Sequence, residues 1–308
     1  MIQTRDIPSN KALRMLSWTF LQKVKTPRCP STPRLDNQIA VITGGSRGIG
    51  LETTRGLLAR GAEVVVFSRK SFNADTIVSS HLSRLHHIKL DLSDIETIQY
   101  ALVHLKEVLQ DRKIDILINN AGVALRKPYT LSKQGYEMTF AINVLGPHIL
   151  FRELHENALL STHAHIINIA GDIYSIAKGC TTNFKYEGKN GMIAYARSKV
   201  GVMWWSNECK KVYPQYTINT IHPGVVPMGL GSEIEGWRGR LLNQIFLSPK
   251  QGAQMTLICC TQPEIEDGAY YHNTLGKAKV PKGDISLDRI AAIELWQRME
   301  EIFYEMND

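Results

Sequence analysis

Tyr195 and Lys199 are the pair of side chains in this sequence best suited to proton transfer. They stand four residues apart in Tyr-Ala-Arg-Ser-Lys, so both side chains lie on one face of a helix. A free tyrosine has a pKa of about 10, which is too high for a base at neutral pH, but a nearby ammonium group stabilises the phenolate and lowers that pKa. The pair therefore predicts proton exchange with a substrate oxygen, with Lys199 lowering the pKa of Tyr195.

The same spacing occurs a second time, at Tyr129 and Lys133. Position distinguishes the two pairs. Tyr195 follows the apolar run His165 to Ile169 and opens a predicted helix, Met192 to Val212, whereas Tyr129 lies in a short predicted loop. We therefore predict that Tyr129 is structural.

A glycine-rich turn follows the apolar run Ile39 to Ile42 and leads into a helix-like segment. It reads Thr43-Gly44-Gly45-Ser46-Arg47-Gly48-Ile49-Gly50. Glycines let backbone N–H groups approach a pyrophosphate closely, and the positive end of the following helix favours that anion. The turn predicts a dinucleotide site that includes Gly44, Ser46, Arg47, Gly48, Ile49 and Gly50.

The residues after the second apolar run bear on the choice of cofactor. An NAD site needs a carboxylate there to accept a hydrogen bond from the ribose 2′-hydroxyl, but the chain reads Ser68-Arg69-Lys70. Arg69, together with Arg47, can instead pair with a 2′-phosphate, because a guanidinium suits that geometry. We therefore predict NADP(H) as the cofactor, with Ser68 and Arg69 in its site, and no metal ion.

Six apolar runs alternate with segments long enough to form helices. The runs are Ile39 to Ile42, Val64 to Phe67, Leu85 to Leu90, Ile114 to Ile118, His165 to Ile169 and Thr217 to Ile221. This alternation is typical of a parallel sheet covered by helices on both faces. We predict an α/β fold with a doubly wound, Rossmann-type parallel sheet in a single domain. A lid is predicted over Gly229 to Leu247, and a final amphipathic helix over Leu287 to Phe303.

Residues 1–34 differ from the rest of the chain in charge. They contain seven Lys and Arg and the single acid Asp6, whereas residues 35–308 contain 29 basic and 28 acidic residues. We expect no nucleic-acid surface on the main body, since phosphate binding depends on clustered basic residues. We predict a basic N-terminal arm and linker at 1–34, ending in the proline-rich stretch Arg28 to Arg34, and an enzyme domain at 35–308.

The arm carries apolar residues at helical spacing, with basic residues between them. They include Leu13, Leu16, Phe20 and Val24. Residues 9–25 could contact an anionic membrane surface or serve as a mitochondrial transit peptide; the alternative is a helix that packs loosely on the domain or a disordered segment. Five cysteines without a CxxC pair favour a reducing compartment. We expect an intracellular protein, mitochondrial or at a membrane surface, with the cytoplasm as the alternative.

The motifs, taken in order, resemble those of the short-chain dehydrogenase/reductase family from about Leu35 to the C-terminus. Besides the glycine turn and the Tyr195 pair, they are Asp91, Asn119-Asn120-Ala121-Gly122, Asn143 and His222-Pro223-Gly224. The segments Gly135-Tyr136-Glu137 and Asn143-Val144-Leu145-Gly146 look most like the retinol dehydrogenase and WW-domain-containing oxidoreductase branch. The chain contains no WW domain.

The resemblance implies an oxidoreductase that transfers a hydride between NADP(H) and a lipophilic alcohol or carbonyl, such as a retinoid or steroid, and a homo-oligomer. Tyr195 would move the hydroxyl proton, Lys199 would also hold the nicotinamide ribose, and Asn143 would bind a water that connects Lys199 to solvent. Further cofactor contacts implied by the resemblance are Asp91, Leu92, Asn120, Ala121, Gly122, Pro223, Gly224 and Val226.

Gly171 departs from the family pattern. The family has a Ser-Ser pair at this strand end, whose second member hydrogen-bonds the reacting oxygen, but this chain reads Ala170-Gly171-Asp172. A missing donor of this kind typically costs on the order of 10²- to 10³-fold in rate. Ser175 could substitute only if the loop bends back. The alternative function is therefore a cofactor-binding homologue with little or no catalysis, acting as an interaction or regulatory module. A milder departure is Met228, where the family often has Thr.

Overall fold

The computed structural model describes residues 2–10, 21–70, 74–124, 129–182, 191–227 and 246–306. Within these residues, nine strands form one sheet. The strands are β1 (Thr4–Asp6), β2 (Ile39–Thr43), β3 (Glu63–Ser68), β4 (Leu85–Lys89), β5 (Ile114–Asn119), β6 (Leu160–Ile169), β7 (Thr217–His222), β8 (Tyr270–His272) and β9 (Gly276–Lys279). The helices that position the site are α1 (Gly48–Ala59), α2 (Ile95–Leu109), α3 (Gly146–Glu156), α4 (Gly191–Val212), α5 (Pro249–Thr261) and α6 (Arg289–Glu305).

The sheet has the order β1-β9-β8-β7-β6-β5-β2-β3-β4. All neighbouring strands are parallel except β8 and β9, which pair antiparallel. The six predicted runs coincide with β2 to β7, so the doubly wound parallel sheet is confirmed. The strands β1, β8 and β9 were not predicted, because strands of three or four residues carry too few side chains to produce a recognisable pattern.

Helices cover both faces of the sheet, and each face has its own apolar core. One core joins α2, α3, α4 and α6, with Ile98, Leu150 and Trp204 among its fully buried members. The other joins α1 and α5. Side chains on alternate positions of a central strand enter opposite cores, which explains why β2, β3 and β5 read as continuous apolar runs.

The direction of winding reverses at β2, because β3 and β5 lie on opposite sides of that strand. In an open α/β sheet, the crevice at the carboxyl ends of the strands beside such a reversal is the usual ligand site. The glycine-rich turn leaves β2 at this crevice, and the Asn-Asn-Ala-Gly segment leaves β5 beside it.

Parts of the first 34 residues are attached to the domain. Thr4–Asp6 form the edge strand β1 on β9, and residues 21–25 are helical. The side chain of Gln22 is buried, and the backbone N–H of Cys29 donates to Gln254 Oε1 over 2.9 Å. The division at residue 34 stays a prediction, and most of the amphipathic segment 9–25 lies outside the described residues.

Two predicted helices are found with shifted bounds. The helix predicted from Met192 begins one residue earlier, as α4. The last helix begins two residues later than predicted, because the carboxylate of Asp288 caps its N-terminus by accepting from the N–H of Ala291 over 3.1 Å, and it ends two residues later, at Glu305.

Met228 and all but the last two residues of the predicted lid lie outside the described residues. The last residue of the lid, Leu247, is buried, and its backbone N–H donates to the carbonyl of Val225 over 3.0 Å. Among the helices in the described ranges, none combines the length and apolar character needed to cross a membrane. The five cysteines all lie in the described part, buried and without a disulfide.

Candidate active site

The glycine-rich turn is packed too tightly for side chains at several positions. Gly44 and Gly48 have φ angles of +68° and +56°, which glycine adopts readily. A Cβ atom on Gly50 would lie 2.2 Å from the Gly44 carbonyl oxygen. Ser46 and Ile49 are partly buried within the turn, and α1 begins at Gly48. The turn thus presents the N-terminus of a helix without obstruction, which fits a dinucleotide pyrophosphate.

The Asn-Asn-Ala-Gly segment braces this turn from the neighbouring strand. The backbone N–H groups of Asn120 and Ala121 donate to Thr43 Oγ1 over 3.1 and 3.0 Å. The Asn120 side chain donates to the Thr43 carbonyl over 2.9 Å. A Cβ atom on Gly122 would lie 3.7 Å from Lys199 Nζ. The segment therefore links the predicted cofactor turn to the predicted proton-transfer pair.

The residues predicted for the adenosine end lie together at the ends of β3 and β4. Arg69 is exposed, and its Nη1 lies 3.9 Å from Asp91 Oδ2. Asp91 is held by Ser93, whose N–H and hydroxyl donate to Oδ1 over 3.0 and 2.7 Å. The hydroxyl of Ser68 donates to the Lys70 carbonyl over 2.9 Å. Leu92, the residue after Asp91, is buried, and Arg47 is exposed in the glycine turn.

Tyr195 and Lys199 lie on α4 at the carboxyl edge of the sheet, as predicted. Lys199 Nζ is 5.4 Å from the centre of the Tyr195 ring and donates to the Ile169 carbonyl over 2.6 Å. Burial lowers the pKa of Lys199 to about 8 and raises the pKa of Tyr195 to about 12. The direction for the phenol is opposite to the expected lowering, because desolvation is the dominant influence on the ring.

Asn143 lies in a π-helical segment, Ala141–Leu145, which runs directly into α3. Its side-chain N–H groups donate to the Val123 carbonyl over 3.0 Å and to Ser198 Oγ over 2.9 Å. Its Oδ1 accepts from the Val123 N–H over 2.9 Å. The amide side chain therefore ties the loop after β5 to α4, and π-helical turns are frequent at functional sites.

The His222-Pro223-Gly224 turn closes the crevice at the end of β7. Gly224 has a φ of +87°. The next residue, Val225, donates its N–H to Gln22 Oε1 over 2.8 Å. Val226 packs toward α5, with its Cγ2 2.7 Å from where a Gly252 Cβ would lie. A buried residue of the N-terminal arm thus fixes the turn predicted to contact the nicotinamide.

The end of β6 carries no hydroxyl at the position expected for the catalytic serine. Gly171 has φ 168° and ψ 140°, an extended conformation open to any residue. Ser175 is fully buried, and its hydroxyl donates to the Asp172 carbonyl over 2.9 Å. Ser175 therefore does not replace the missing donor.

The second Tyr-Lys pair, Tyr129 and Lys133, lies near the start of α2. Lys133 is exposed and donates to Glu96 Oε2 over 2.5 Å at the start of α2. This ion pair raises the pKa of Lys133. This ion pair between Lys133 and Glu96 agrees with the prediction that the Tyr129 pair is structural.

Three buried polar residues beside Gly171 were missed by the sequence analysis. Asp172 accepts from Tyr270 Oη over 2.8 Å and lies 2.9 Å, through Oδ2, from His272 Nε2. Asp172 could have been noticed, because a charged residue directly after a buried strand is unusual. Tyr270 and His272 carried no signal, because they belong to the unpredicted strand β8.

Comparison with known proteins agrees with this geometry. A family model described as short chain dehydrogenase matches residues 38–238. Retinol dehydrogenase 12 of Mus musculus is 32% identical over 265 residues, covering 79% of this chain and 80% of that protein. Retinol dehydrogenase 13 of Homo sapiens is 28% identical over 291 residues, covering 87% and 85%.

Two solved structures show the same fold at 20% identity. An uncharacterized protein from Mycobacterium Paratuberculosis has a TM-score of 0.67 and covers 90% of this chain and 98% of its own. The angucycline C-6 ketoreductase LanV with bound NADP has a TM-score of 0.62 and covers 79% and 96%. The motif order, the sheet and these relatives together lead to one conclusion: the chain belongs to the short-chain dehydrogenase/reductase family of oxidoreductases, in its retinol dehydrogenase branch.

Proposed function

We propose that the protein is an NADP(H)-dependent oxidoreductase that acts on a lipophilic alcohol or carbonyl. The observation that carries the proposal is the convergence of three segments at one edge of the sheet. Lys199 Nζ lies 5.4 Å from the Tyr195 ring and close to Gly122, and the residues around Gly122 brace the glycine turn. A bound nicotinamide would supply or accept the hydride.

The chain's own residues would handle the proton. At neutral pH a phenol with a pKa of about 12 keeps its proton, so Tyr195 Oη is ready to donate it to a substrate oxygen. Lys199 is held by the Ile169 carbonyl and has its pKa lowered to about 8, so it can exchange a proton near physiological pH. Asn143 would act as a positioning residue, because its amide fastens Val123 to Ser198.

The preference for NADP(H) is supported by the charges at the end of β3. Arg69 is exposed there, and no acidic residue stands at positions 67–70. A guanidinium that can reach a 2′-phosphate makes charge-assisted hydrogen bonds to it. Ser68 would hold the backbone of this bend through its bond to the Lys70 carbonyl.

The substrate class is supported by exposed apolar side chains near the carboxyl edge of the sheet and by the relatives. Met192 and Ile193, three and two residues before Tyr195, are 48% and 36% exposed, and Val225, in the turn after β7, is 37% exposed. Small-molecule sites are mostly lined by such side chains. The relatives named retinol dehydrogenase are 28% and 32% identical to this chain.

The test is an absorbance screen of purified protein with NADPH and NADP⁺ against retinoids, steroids and simple carbonyls. We expect turnover of at least one lipophilic compound. Tyr195→Phe should lower kcat on the order of 10²- to 10⁴-fold, the usual contribution of a general acid, while the Kd for NADPH changes little. Tyr129→Phe is the matched control and should retain wild-type turnover. Wild-type kcat in Tyr195→Phe would contradict the assigned mechanism.

A second candidate function is favoured by Gly171. Without a hydroxyl at this position, the protein could bind the cofactor and act as an interaction or regulatory module with little catalysis. In that case NADPH would still raise the Tm, as a ligand of the native state does, but no compound in the panel would be turned over. A large gain in activity from Gly171→Ser would also favour this alternative.

A further inference from the structure

The turn that follows β7, residues 223–226, begins one strand away from the predicted proton-transfer pair. Lys199 Nζ donates to the Ile169 carbonyl at the end of β6. The next residue, Ala170, donates its N–H to the Ile221 carbonyl of β7 over 2.8 Å. The start of this turn, which we call the β7 turn, therefore lies beside the strand end that holds Lys199.

The other end of the β7 turn reaches the glycine-rich turn. A Cβ atom built on Gly252 of α5 would lie 2.7 Å from Val226 Cγ2 and 3.1 Å from Ile49 Cγ1, so these two side chains meet at the same point of α5. Ile49 belongs to the turn that is predicted to hold the pyrophosphate. The β7 turn thus runs between the predicted pyrophosphate site and the proton-transfer pair, where the nicotinamide half of a dinucleotide would lie.

Two segments that are distant in sequence hold the backbone of the β7 turn. The Val225 N–H donates to Gln22 Oε1 over 2.8 Å, and the Val225 carbonyl accepts from the Leu247 N–H over 3.0 Å. Residues 223–227 belong to no helix or strand, so no regular element determines the conformation of this backbone. The conformation of the turn therefore depends on the N-terminal arm as well as on the domain.

The side chain of Gln22 is buried, although apolar residues beside it in the arm are exposed. Gln22 is 1% exposed, whereas Leu21 and Val24 are 40% and 86% exposed. Burial of a polar amide is unfavourable unless the amide is hydrogen-bonded, and the bond to Val225 supplies this compensation. The inverted exposure indicates that Gln22 is the residue through which the arm acts on the β7 turn.

Further hydrogen bonds fix Gln22 relative to the sheet. The N–H and the hydroxyl of Thr26 donate to the Gln22 carbonyl over 2.9 and 2.6 Å. Asn273 Nδ2 donates to Thr26 Oγ1 over 2.7 Å, and the Asn273 N–H donates to the His222 carbonyl over 3.0 Å. Because His222 is the last residue of β7, the arm and the β7 turn are held against the same strand end.

Gly224 allows the arm to approach the turn closely. It has a φ of +87°, which glycine adopts readily. A Cβ atom at this position would lie 3.1 Å from Gln22 Oε1 and 3.2 Å from Asn273 Nδ2. A larger residue would therefore crowd the amide that holds Val225.

We propose that Gln22 is a positioning residue for the nicotinamide half of the cofactor. By accepting from the Val225 N–H, it holds the β7 turn in the conformation that the ring would contact, and the N-terminal arm is thereby part of the cofactor site. The inference rests on the proposed function, because it assigns a role in binding the NADP(H) of that reaction. Gln22 acts through the turn, and the proton still comes from Tyr195.

The experiment compares two ligands that differ in the nicotinamide ring. The Kd values of NADPH and of 2′-phospho-ADP-ribose, which lacks the ring, are measured by calorimetry for wild type and for Gln22→Met. This substitution removes the acceptor oxygen at nearly constant side-chain length. Gln22→Met should weaken NADPH binding about 3- to 10-fold, the usual value of one hydrogen bond, and should change binding of 2′-phospho-ADP-ribose less than about twofold.

Two further variants separate the hydrogen bond from packing. Gln22→Glu keeps an acceptor oxygen and should bind NADPH within about threefold of wild type. The matched control is Gln254→Met, which removes another glutamine acceptor between the arm and the domain. Gln254 Oε1 accepts from the Cys29 N–H over 2.9 Å, and this bond does not involve the β7 turn. Gln254→Met should change neither Kd.

Amide hydrogen exchange in the protein without cofactor tests the bond directly. The Val225 amide should exchange on the order of tenfold faster in Gln22→Met than in wild type, because a hydrogen-bonded N–H exchanges only after local opening. The wild-type measurement serves also if Gln22→Met does not fold, which the Tm reports. A wild-type Val225 amide that exchanges as fast as in an unstructured peptide would contradict the proposal.

The outcomes distinguish this inference from the proposed function. Wild-type protein that binds neither NADPH nor 2′-phospho-ADP-ribose would overturn the proposed function, and with it the role of Gln22. Wild-type protein that binds NADPH, with the same Kd in Gln22→Met, would overturn the role of Gln22 alone. Equal weakening of both ligands in Gln22→Met would do the same, because it would mean that the arm supports the whole site rather than the turn at the ring.

Discussion

The neighbours of a motif residue follow from local spacing, whereas its electrostatics depend on the fold. Lys199 lies near Tyr195 and Gly122, and Asn120 braces the glycine turn. The pKa of the Tyr195 phenol, however, is raised to about 12 by burial, while the spacing alone suggested a lowered value. Four-residue spacing fixes which side chains are neighbours, but the amount of solvent around them depends on segments far along the chain.

Arg69 allows the choice of cofactor to be tested at a single residue. Arg69→Ala should weaken NADPH binding about 10- to 100-fold, the usual value of a charge-assisted hydrogen bond, and should change NADH binding little. The measurement is the Kd of each nucleotide by fluorescence titration. The control Arg298→Ala removes an arginine on α6 that pairs with Glu301 and should change neither Kd. Equal loss of both nucleotides in Arg69→Ala would show that Arg69 does not recognise the 2′-phosphate.

Elements buried on both faces were predictable, and elements at the sheet edge were not. The strands β2 to β7 are recognisable because buried parallel strands consist almost entirely of apolar residues. The edge strand β1 is exposed at all three residues, so no apolar pattern in the sequence marks it. The Asp172 network could not be predicted for a related reason: its partners come from β8, whose place beside β7 follows from the complete sheet order.

The glycine turn makes a sharp prediction at the level of an element. Gly50→Ala would place a Cβ 2.2 Å from the Gly44 carbonyl and 2.6 Å from Asn120 Nδ2, so the turn and its brace must move apart. We expect a loss of stability of about 1 to 3 kcal/mol, as for other overpacked sites, and loss of the Tm increase produced by NADPH.

The control for this prediction is Gly135→Ala. Gly135 has a φ of +84°, but a Cβ there would meet nothing within 4 Å. The substitution should cost stability through backbone strain alone, and the NADPH-induced Tm increase should persist. A Gly50→Ala variant that still gains the full Tm increase with NADPH would argue against the turn as the cofactor cradle.

At the scale of the whole molecule, a buried polar cluster joins three helices on one face of the sheet. His148 on α3 is fully buried, and its Nδ1 accepts from Trp205 Nε1 on α4 over 3.0 Å. Its Nε2 lies 3.3 Å from Glu300 Oε1 on α6, and Arg152 on α3 also contacts Glu300. Burial, reinforced by the charge of Arg152, lowers the pKa of His148 to about 3. The imidazole is therefore neutral in the folded protein despite the nearby carboxylate.

This shift predicts how stability depends on pH. Unfolding returns His148 toward its ordinary pKa of 6.5, so below pH 6.5 the unfolded state binds a proton that the folded state does not. The stabilisation that comes from keeping His148 neutral is complete above pH 6.5. As the pH falls from 6.5 toward 3, the free energy of unfolding decreases by up to about 1.4 kcal/mol per pH unit. Burial raises the pKa of Glu300, and this shift changes the free energy of unfolding with pH in the opposite direction. The effect of His148 is therefore measured as the difference in pH dependence between wild type and a His148 variant.

Chemical denaturation from pH 4 to 8 measures this dependence. His148→Asn should be less stable than wild type at pH 7 but should lose less stability on acidification. His104→Asn, which changes a histidine 65% exposed on α2, should keep the wild-type slope. An unchanged slope in His148→Asn would show that His148 is not the group that titrates.

The pairing of β1 with β9 joins Thr4–Asp6 to Lys277–Lys279, about 270 residues apart along the chain. On a ribosome that adds roughly 5 to 20 residues per second, the first strand would wait on the order of 10 to 60 s for its partner to emerge. Until then the N–H and C=O groups of that strand must stay hydrated or be covered by another protein, and the last strands emerge with an edge able to bind a foreign strand. Vectorial synthesis thus leaves the two ends of this sheet to pair last.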